Sequence, residues 1–169
     1  APANVLLMNG QYKEGWSVYE SRFDMSSYRT NVRDVHERLW DGGALDGRRL
    51  LVHVEQGFGD TLQFIRYVPL IRRLAGDGKI FLVCEPELFG LLETVEGVDE
   101  IYRLGSDTSV TYDVQVPLLS LPHRFATILE TIPNTVPYIK VPPGTKARIR
   151  RRKGVRLTVA FVWAGRPTH

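Results

Sequence analysis

Leu50-Leu-Val-His-Val54 is a β-rich run that leads directly into Glu55-Gln-Gly-Phe-Gly59 and then into a helical pattern from Asp60. A short, nearly continuous apolar run that ends at glycines is typical of a buried strand. Glycines between a strand and a helix allow the tight turn that this connection needs. The stretch therefore predicts the strand–loop–helix unit from which α/β folds are built.

Strand and helix patterns keep alternating after this unit. Further strands are predicted at 79–85, 100–104, 113–118, 138–141 and 156–163, and helices at 60–74, 86–95, 122–131 and 145–152. Pro69 interrupts the first of these helices, so we expect a break near Tyr67 and Val68. Because several strands are almost continuously apolar, they predict a mostly parallel sheet with helices on both faces, the Rossmann-like arrangement. Such a sheet binds ligands at the carboxyl ends of its strands.

The first 25 residues predict a pair of helices. Asn9-Gly10 separates an apolar helix from a second one, on which Tyr12, Trp16, Tyr19 and Phe23 recur at helical spacing. An aromatic stripe of this kind must be covered by other residues. It packs either on the domain that follows or against earlier helices of a solenoid of which this pair is the end.

Residues 26–49 are predicted to connect the helical pair to the α/β domain. They are polar, show no sustained period and contain three glycines. Trp40, which Asp-Gly-Gly follows, predicts a turn anchored by a buried indole. The chain therefore divides into a helical pair (1–25), a connecting segment (26–49) and an α/β domain (50–169).

One basic run accounts for the formal net charge of +3. Residues 146–156 hold seven lysines and arginines and no acid, which leaves 15 basic against 19 acidic residues elsewhere. The run contains no aromatic residue that could stack on a base, so we do not expect nucleic-acid binding. A solvated helix face is the preferred interpretation.

No membrane span or secretory leader is predicted. No apolar run reaches the roughly 18 to 20 residues that a span needs. The chain begins at Ala1-Pro2, without an initiator Met or a charged-then-apolar pattern. Either a leader has been removed or, as we prefer, the sequence is a piece of a longer protein. Cys84 lies in an apolar run and is expected to be a buried, unreactive thiol. A single cysteine fits a reducing cytoplasm.

The loop Gly57-Phe-Gly-Asp60 is the segment best placed for chemistry. Its glycines allow close approach of a ligand, and the helix that follows offers free N–H groups. Leu62 stands where a dinucleotide fingerprint needs glycine, and no Gly-Lys-Ser/Thr follows, so the phosphate signal is weak. Asp60, with Gln63 three residues on, either caps the helix or serves a function. The nearby His53 is expected to pack on the sheet.

The segment from Val54 to Tyr67 resembles a segment of bacterial tetratricopeptide-repeat proteins that carry a glycosyltransferase-like domain. Gly10-x-Tyr-x-Glu-Gly-Trp16 is similar to the turn of one such repeat. The resemblance continues, in the family's order, through residues 114–122, 130–133, 136–138 and 161–165. These domains in turn resemble heptosyltransferases and, more distantly, the peptide O-GlcNAc transferases.

The resemblance implies the first half of a GT-B glycosyltransferase, in which two Rossmann-like domains face each other across a cleft. The last repeat would precede this half, and the donor-binding half would be absent. The implied reaction is an inverting, metal-independent transfer from a nucleotide sugar to an unknown sugar or protein acceptor, without another cofactor. Asp60 would be the general base, because an acceptor hydroxyl must lose its proton as it attacks.

The resemblance also implies a set of substrate-binding residues. These are Glu55, Gln56, Gly57, Gly59, Trp163 and Gly165. Arg166 departs from the family, which commonly has Asn there, and the chain ends at His169. We therefore expect an incomplete donor site and no turnover by these residues alone.

A non-catalytic role is the alternative hypothesis. Here the repeat helices would hold a protein partner, and the Rossmann-like domain would be structural. The aromatic stripe and the simple capping account of Asp60 favour this interpretation.

Overall fold

A computed structural model of the chain describes residues 2–25, 37–55, 57–106 and 110–145, together with Gly154 and Val159. The strands of this part are β1 (Arg49–His53), β2 (Lys79–Cys84), β3 (Glu100–Arg103) and β4 (Val114–Pro117). They form one sheet in the order β3-β2-β1-β4, and every pair is parallel. The predicted α/β fold with a parallel, Rossmann-like sheet is confirmed.

Helices connect and flank these strands. The α-helices are α1 (Pro2–Met8), α2 (Tyr12–Tyr19), α3 (Phe58–Phe64), α4 (Val68–Ala75), α5 (Phe89–Leu92) and α6 (Leu121–Arg124), and the 3₁₀ turns are Glu20–Asp24, Ile65–Tyr67, Leu118–Ser120 and Leu129–Thr131. A 3₁₀ turn separates α3 from α4, and Pro69 lies in the first turn of α4. A proline is tolerated there because the first N–H groups of a helix have no partner within the helix. The break predicted near Tyr67 and Val68 is confirmed.

The central strand β1 is covered on both faces. Leu50, Leu51, Val52 and His53 follow one another and are at most 5% exposed. Since successive residues of a strand point to opposite faces, side chains must pack on both sides of the sheet. Cys84 ends β2 inside the same core, and burial raises the pKa of its thiol to about 12. The thiol therefore stays protonated near neutral pH, as expected of a buried cysteine.

The helical pair packs on the α/β domain through its aromatic stripe. Trp16 makes an edge-to-face contact with Phe64, with the ring centroids 5.7 Å apart, and Tyr19 also packs on the core. The prediction that the stripe packs on the following domain is confirmed for Trp16 and Tyr19. Within the pair, Gly15 allows close approach of the helices, because a Cβ there would lie 2.7 Å from Leu7 Cδ2.

The connecting segment is held against β4. Leu39 forms a parallel bridge with Gln115, and the amide of Trp40 donates to the Gln115 carbonyl over 2.8 Å. The Trp40 side chain is completely buried, and its Nε1 donates to the Gly43 carbonyl over 2.9 Å. The predicted anchoring role of Trp40 is confirmed, while residues 26–36 lie outside the described residues.

Three element predictions were wrong in part or in whole. The helix predicted at 122–131 is interrupted because Ala126 has a left-handed φ of 46°. The helix predicted at 86–95 is reduced to Phe89–Leu92. Residues 138–141 form no strand, since their polar groups bond elsewhere: the Lys140 amide donates to Thr94 Oγ1 over 3.0 Å. The predictions for 145–152 and 156–163 fall almost entirely outside the described residues.

Within the part of the chain that the structure describes, no helix is long and apolar enough to cross a membrane.

Candidate functional site

The carboxyl edge of the sheet gathers three connections. Val54 and Glu55 follow β1, Glu85 follows β2, and the 3₁₀ turn Leu118–Ser120 follows β4. The chain runs from β1 to β2 and β3 on one side and then returns to β4 on the other. In parallel sheets this reversal of direction, here between β1 and β4, opens a crevice where ligands commonly bind.

A buried ion pair occupies the β1 side of this crevice. The Glu55 side chain has no exposed surface, and its two carboxylate oxygens accept from Nε and Nη2 of Arg22 over 3.0 and 3.1 Å. The amide of Leu119, after β4, donates to the same carboxylate over 3.0 Å. Glu55 therefore joins the helical pair to the ends of both strands. The structure brings it to the expected edge, where groups of the same chain hold its carboxylate.

Further polar groups surround Arg22 and complete what we call the Arg22 cluster: Glu20, Arg22, Glu55, Ser120 and Arg124. Arg22 donates to Glu20 Oε1 over 2.7 Å and to Ser120 Oγ over 2.8 Å. Arg124 reaches the other Glu20 oxygen over 3.3 Å. Burial by itself lowers the pKa of Arg22, but the Glu55 and Glu20 carboxylates outweigh it and raise the pKa above its usual range. The guanidinium is therefore permanently charged.

Asp60 lies in the first turn of α3, beside the loop that follows β1. The helix begins at Phe58 with Gly57 as its N-cap residue, so Asp60 is the third helical residue. The interpretation of Asp60 as the capping residue was therefore wrong. Its carboxylate is partly exposed and makes no hydrogen bond or ion pair within the described residues. A carboxylate in this turn is favoured by the positive end of the helix dipole.

The backbone before Asp60 is open. Phe58 is 46% exposed, and a Cβ placed on Gly59 would meet no atom of the described residues within 4 Å. Gly57 is partly exposed and has an extended conformation. Gly59 itself has no left-handed φ and no close neighbour among the described residues, so the fold does not require glycine at this position. The open backbone leaves room for a ligand to approach Gly59 and Asp60.

Two polar contacts link the strand ends to neighbouring elements. Thr61 Oγ1 lies 3.4 Å from both carboxylate oxygens of Glu85, which ties α3 to the end of β2. His53 Nε2 lies 2.7 Å from Gln115 Oε1 and links β1 to β4. Burial lowers the pKa of His53, so the ring is neutral near pH 7. The expectation that His53 packs on the sheet is confirmed.

Four of the residues implied by the resemblance lie in one loop and helix start: Glu55, Gly57, Gly59 and Asp60. Gln56, Trp163 and Gly165 lie outside the described residues. No group of three or more His, Cys, Asp or Glu side chains among the described residues could hold a metal ion.

The sequence reasoning missed Arg22 and Ser120. They lie 33 and 65 positions away from Glu55, too far for a local pattern to connect them. The available signal was the position of Arg22 next to the aromatic stripe, which already indicated a surface that packs on the domain.

The sheet and the loop after β1 define an α/β protein of the Rossmann-like class. The chain is similar to Protein FlbA of Caulobacter vibrioides, with 36% identity over 94 residues. The matched region covers 55% of this chain and 16% of that protein, so the chain spans only a small part of the relative's length. No family model and no solved structure matches the chain.

Proposed function

We propose that this chain is the acceptor-side half of an inverting, metal-independent glycosyltransferase that uses a nucleotide sugar. The family resemblance and the parallel β3-β2-β1-β4 sheet support this proposal. The observation that carries it is the Asp60 carboxylate, which lies beside the carboxyl edge of the sheet without a hydrogen bond or ion pair among the described residues. The proposed reaction belongs to the cytoplasm, where Cys84 stays reduced.

Asp60 would act as the general base. As the acceptor oxygen attacks the anomeric carbon, its proton passes to the carboxylate, and the nucleotide leaves with the electrons of the broken glycosidic bond. The exposed backbone at Gly59 would allow the acceptor to approach closely. The Arg22 cluster would hold the loop that leads to α3 in place. Glu55 would therefore position Asp60 through the loop backbone and would not contact the substrate with its own carboxylate.

The Asp60→Asn variant tests this role in the full-length protein with ADP- and UDP-sugars. Because the amide cannot accept the proton, we expect transfer to fall by about a hundredfold or more. Asp77→Asn, an exposed aspartate in the turn after α4, is the matched control and should keep full activity. Addition of EDTA should leave the rate unchanged. Wild-type rates in Asp60→Asn would contradict the assigned role.

Gly59→Ala tests whether the open backbone contacts a substrate. The new methyl group would meet no atom in the described part of the chain, so the thermal midpoint should not fall. Transfer should drop about tenfold or more, because a small displacement of the acceptor is enough to impair the reaction. Gly90→Ala in α5, where a Cβ also meets no described atom within 4 Å, is the control for both measurements. Equal activities of the two variants would argue against close approach at Gly59.

A non-catalytic binding module is the second candidate function. The Arg22 cluster favours it, because it fills the β1 side of the crevice with groups of the chain itself. On this proposal the helical pair presents a partner-binding surface, and the α/β domain supports it. Capture of a specific protein by the full-length chain, unchanged by Asp60→Asn and without any sugar transfer, would favour this function over the transferase.

A further inference from the structure

The helical pair contacts the segment that carries Asp60 at both of its ends. Before α3, Arg22 holds the Glu55 carboxylate with two hydrogen bonds. At the last residue of α3, the Trp16 ring packs edge-to-face on Phe64 with the ring centroids 5.7 Å apart. We call these two contacts the clamp. Asp60 lies in the stretch of chain between them.

Between its two ends, this segment makes weak contacts with the rest of the domain. Phe58 is largely exposed, and a Cβ on Gly59 would meet no described atom within 4 Å. Thr61 is buried, but its hydroxyl lies 3.4 Å from the Glu85 oxygens, beyond the roughly 2.5–3.0 Å of a good hydroxyl hydrogen bond. Helices as short as α3 are not stable alone in water. The position of α3 therefore depends on what holds its ends.

The two ends differ in what else holds them. Phe64 also stacks on Tyr67 of the domain, with the centroids 6.4 Å apart, so Trp16 covers a ring that the core already orients. The Glu55 carboxylate is completely buried, and Arg22 of the helical pair supplies a positive charge that balances it. We therefore expect the contact before α3 to matter more than the contact at its end.

The surface between the helical pair and the domain is imperfectly packed. A cleft of about 240 Å³, lined by Tyr12 and Trp16 on one side and by Gln63 and Arg66 on the other, remains open there. Trp16 Nε1 is buried without a partner among the described residues. Empty space and an unsatisfied donor both disfavour the docked position. The pair should therefore leave the domain more readily than the sheet unfolds, as local openings of native proteins do.

We propose that the helical pair orders the Asp60 segment through the clamp, with Arg22 and Trp16 as positioning residues. When the pair leaves the domain, Glu55 regains water and α3 loses a contact at each end. The Asp60 carboxylate is then no longer held beside the edge of the sheet. The ordering of the segment stands apart from the proposed function; only its effect on sugar transfer rests on that function.

Amide hydrogen exchange of the full-length protein, followed by mass spectrometry, tests the clamp. In Arg22→Met, exchange of residues 57–64 should accelerate at least about tenfold more than exchange of β2, because undocking returns the unbalanced Glu55 to water without unfolding the sheet. Leu82→Ala is the matched control, since it truncates a fully buried side chain of β2. It should accelerate exchange in β2 at least as much as in residues 57–64.

Two further variants separate the contacts at the end of α3. Trp16→Leu should also accelerate exchange of residues 57–64 selectively, but less than Arg22→Met, because Phe64 keeps its stacking on Tyr67. Trp16→Phe keeps an aromatic contact and removes the unsatisfied N–H, so it should retain most of the wild-type protection. If the proposed function holds, Trp16→Leu should lower kcat about tenfold and leave the KM for the nucleotide sugar unchanged, because the base is displaced and the donor-binding half is not.

The outcomes separate the clamp from the transferase. Acceleration that residues 57–64 and β2 share equally in Arg22→Met would overturn the clamp, whatever the transfer assays show. Wild-type protection of residues 57–64 in that variant would do the same. Selective acceleration in a protein that transfers no sugar would support the clamp while the transferase proposal fails.

Discussion

Replacing Arg22 with Met is expected to lower the free energy of unfolding by about 3–5 kcal/mol. The substitution keeps much of the apolar stem but removes the guanidinium that holds Glu55. The Glu55 side chain has no exposed surface, so its carboxylate would remain in the interior without its cation. Removing one partner of a buried pair is costly for this reason. The loss should also loosen the helical pair, because Arg22 binds Glu55 and Ser120 of the domain.

Urea denaturation followed by circular dichroism measures this effect. The control is Arg49→Met, whose ion pair with Asp113 is about 40% exposed on both sides, so it should cost no more than about 1 kcal/mol. The double variant Arg22→Met/Glu55→Gln should lose less than the two single variants combined, because the glutamine carries no charge. An Arg22→Met loss no greater than that of Arg49→Met would contradict a stabilising Arg22 cluster.

Replacing Trp40 with Ala is expected to cost about 3–5 kcal/mol of unfolding free energy. The side chain is completely buried and meets the Phe125 ring edge-to-face at a centroid distance of 5.9 Å. Its removal would leave a large cavity beside Phe125. The neighbouring bridge from Leu39 to Gln115 would lose its anchor.

Trp40→Phe separates the packing of the ring from its hydrogen bond. It retains most of the aromatic volume but loses the bond from Nε1 to the Gly43 carbonyl. We expect a cost of about 1–2 kcal/mol, clearly below that of Trp40→Ala. Equal losses in the two variants, or a Trp40→Ala loss under about 1 kcal/mol, would show that the indole does not hold the segment in place.

The strands were predictable because burial on both faces makes them almost continuously apolar. The predicted runs 50–54, 79–85, 100–104 and 113–118 each differ from the observed strand by one or two residues. The short helices were less predictable, since their ends depend on local backbone conformation. Ala126, for example, interrupts a helical pattern with a left-handed φ that alanine rarely adopts.

The candidate site was predictable only in part. The glycine loop and Asp60 form a continuous local pattern, so their place beside β1 followed from the order of strand, loop and helix. The environment of each carboxylate did not follow. Glu55 and Asp60 are five residues apart, yet one is buried against Arg22 and the other has no such partner in the described structure.

By itself, the sequence determined the α/β class, the break at Pro69, the burial of Cys84 and the position of the loop that starts α3. All of these depend on residues close together in the chain, through periodicity and backbone restriction. Only the tertiary structure decided that Arg22 holds Glu55, that Trp40 packs on Phe125 and that Trp16 of α2 contacts Phe64 of α3. These contacts join segments tens of residues apart, and no local pattern records which distant side chain reaches a given charge or ring.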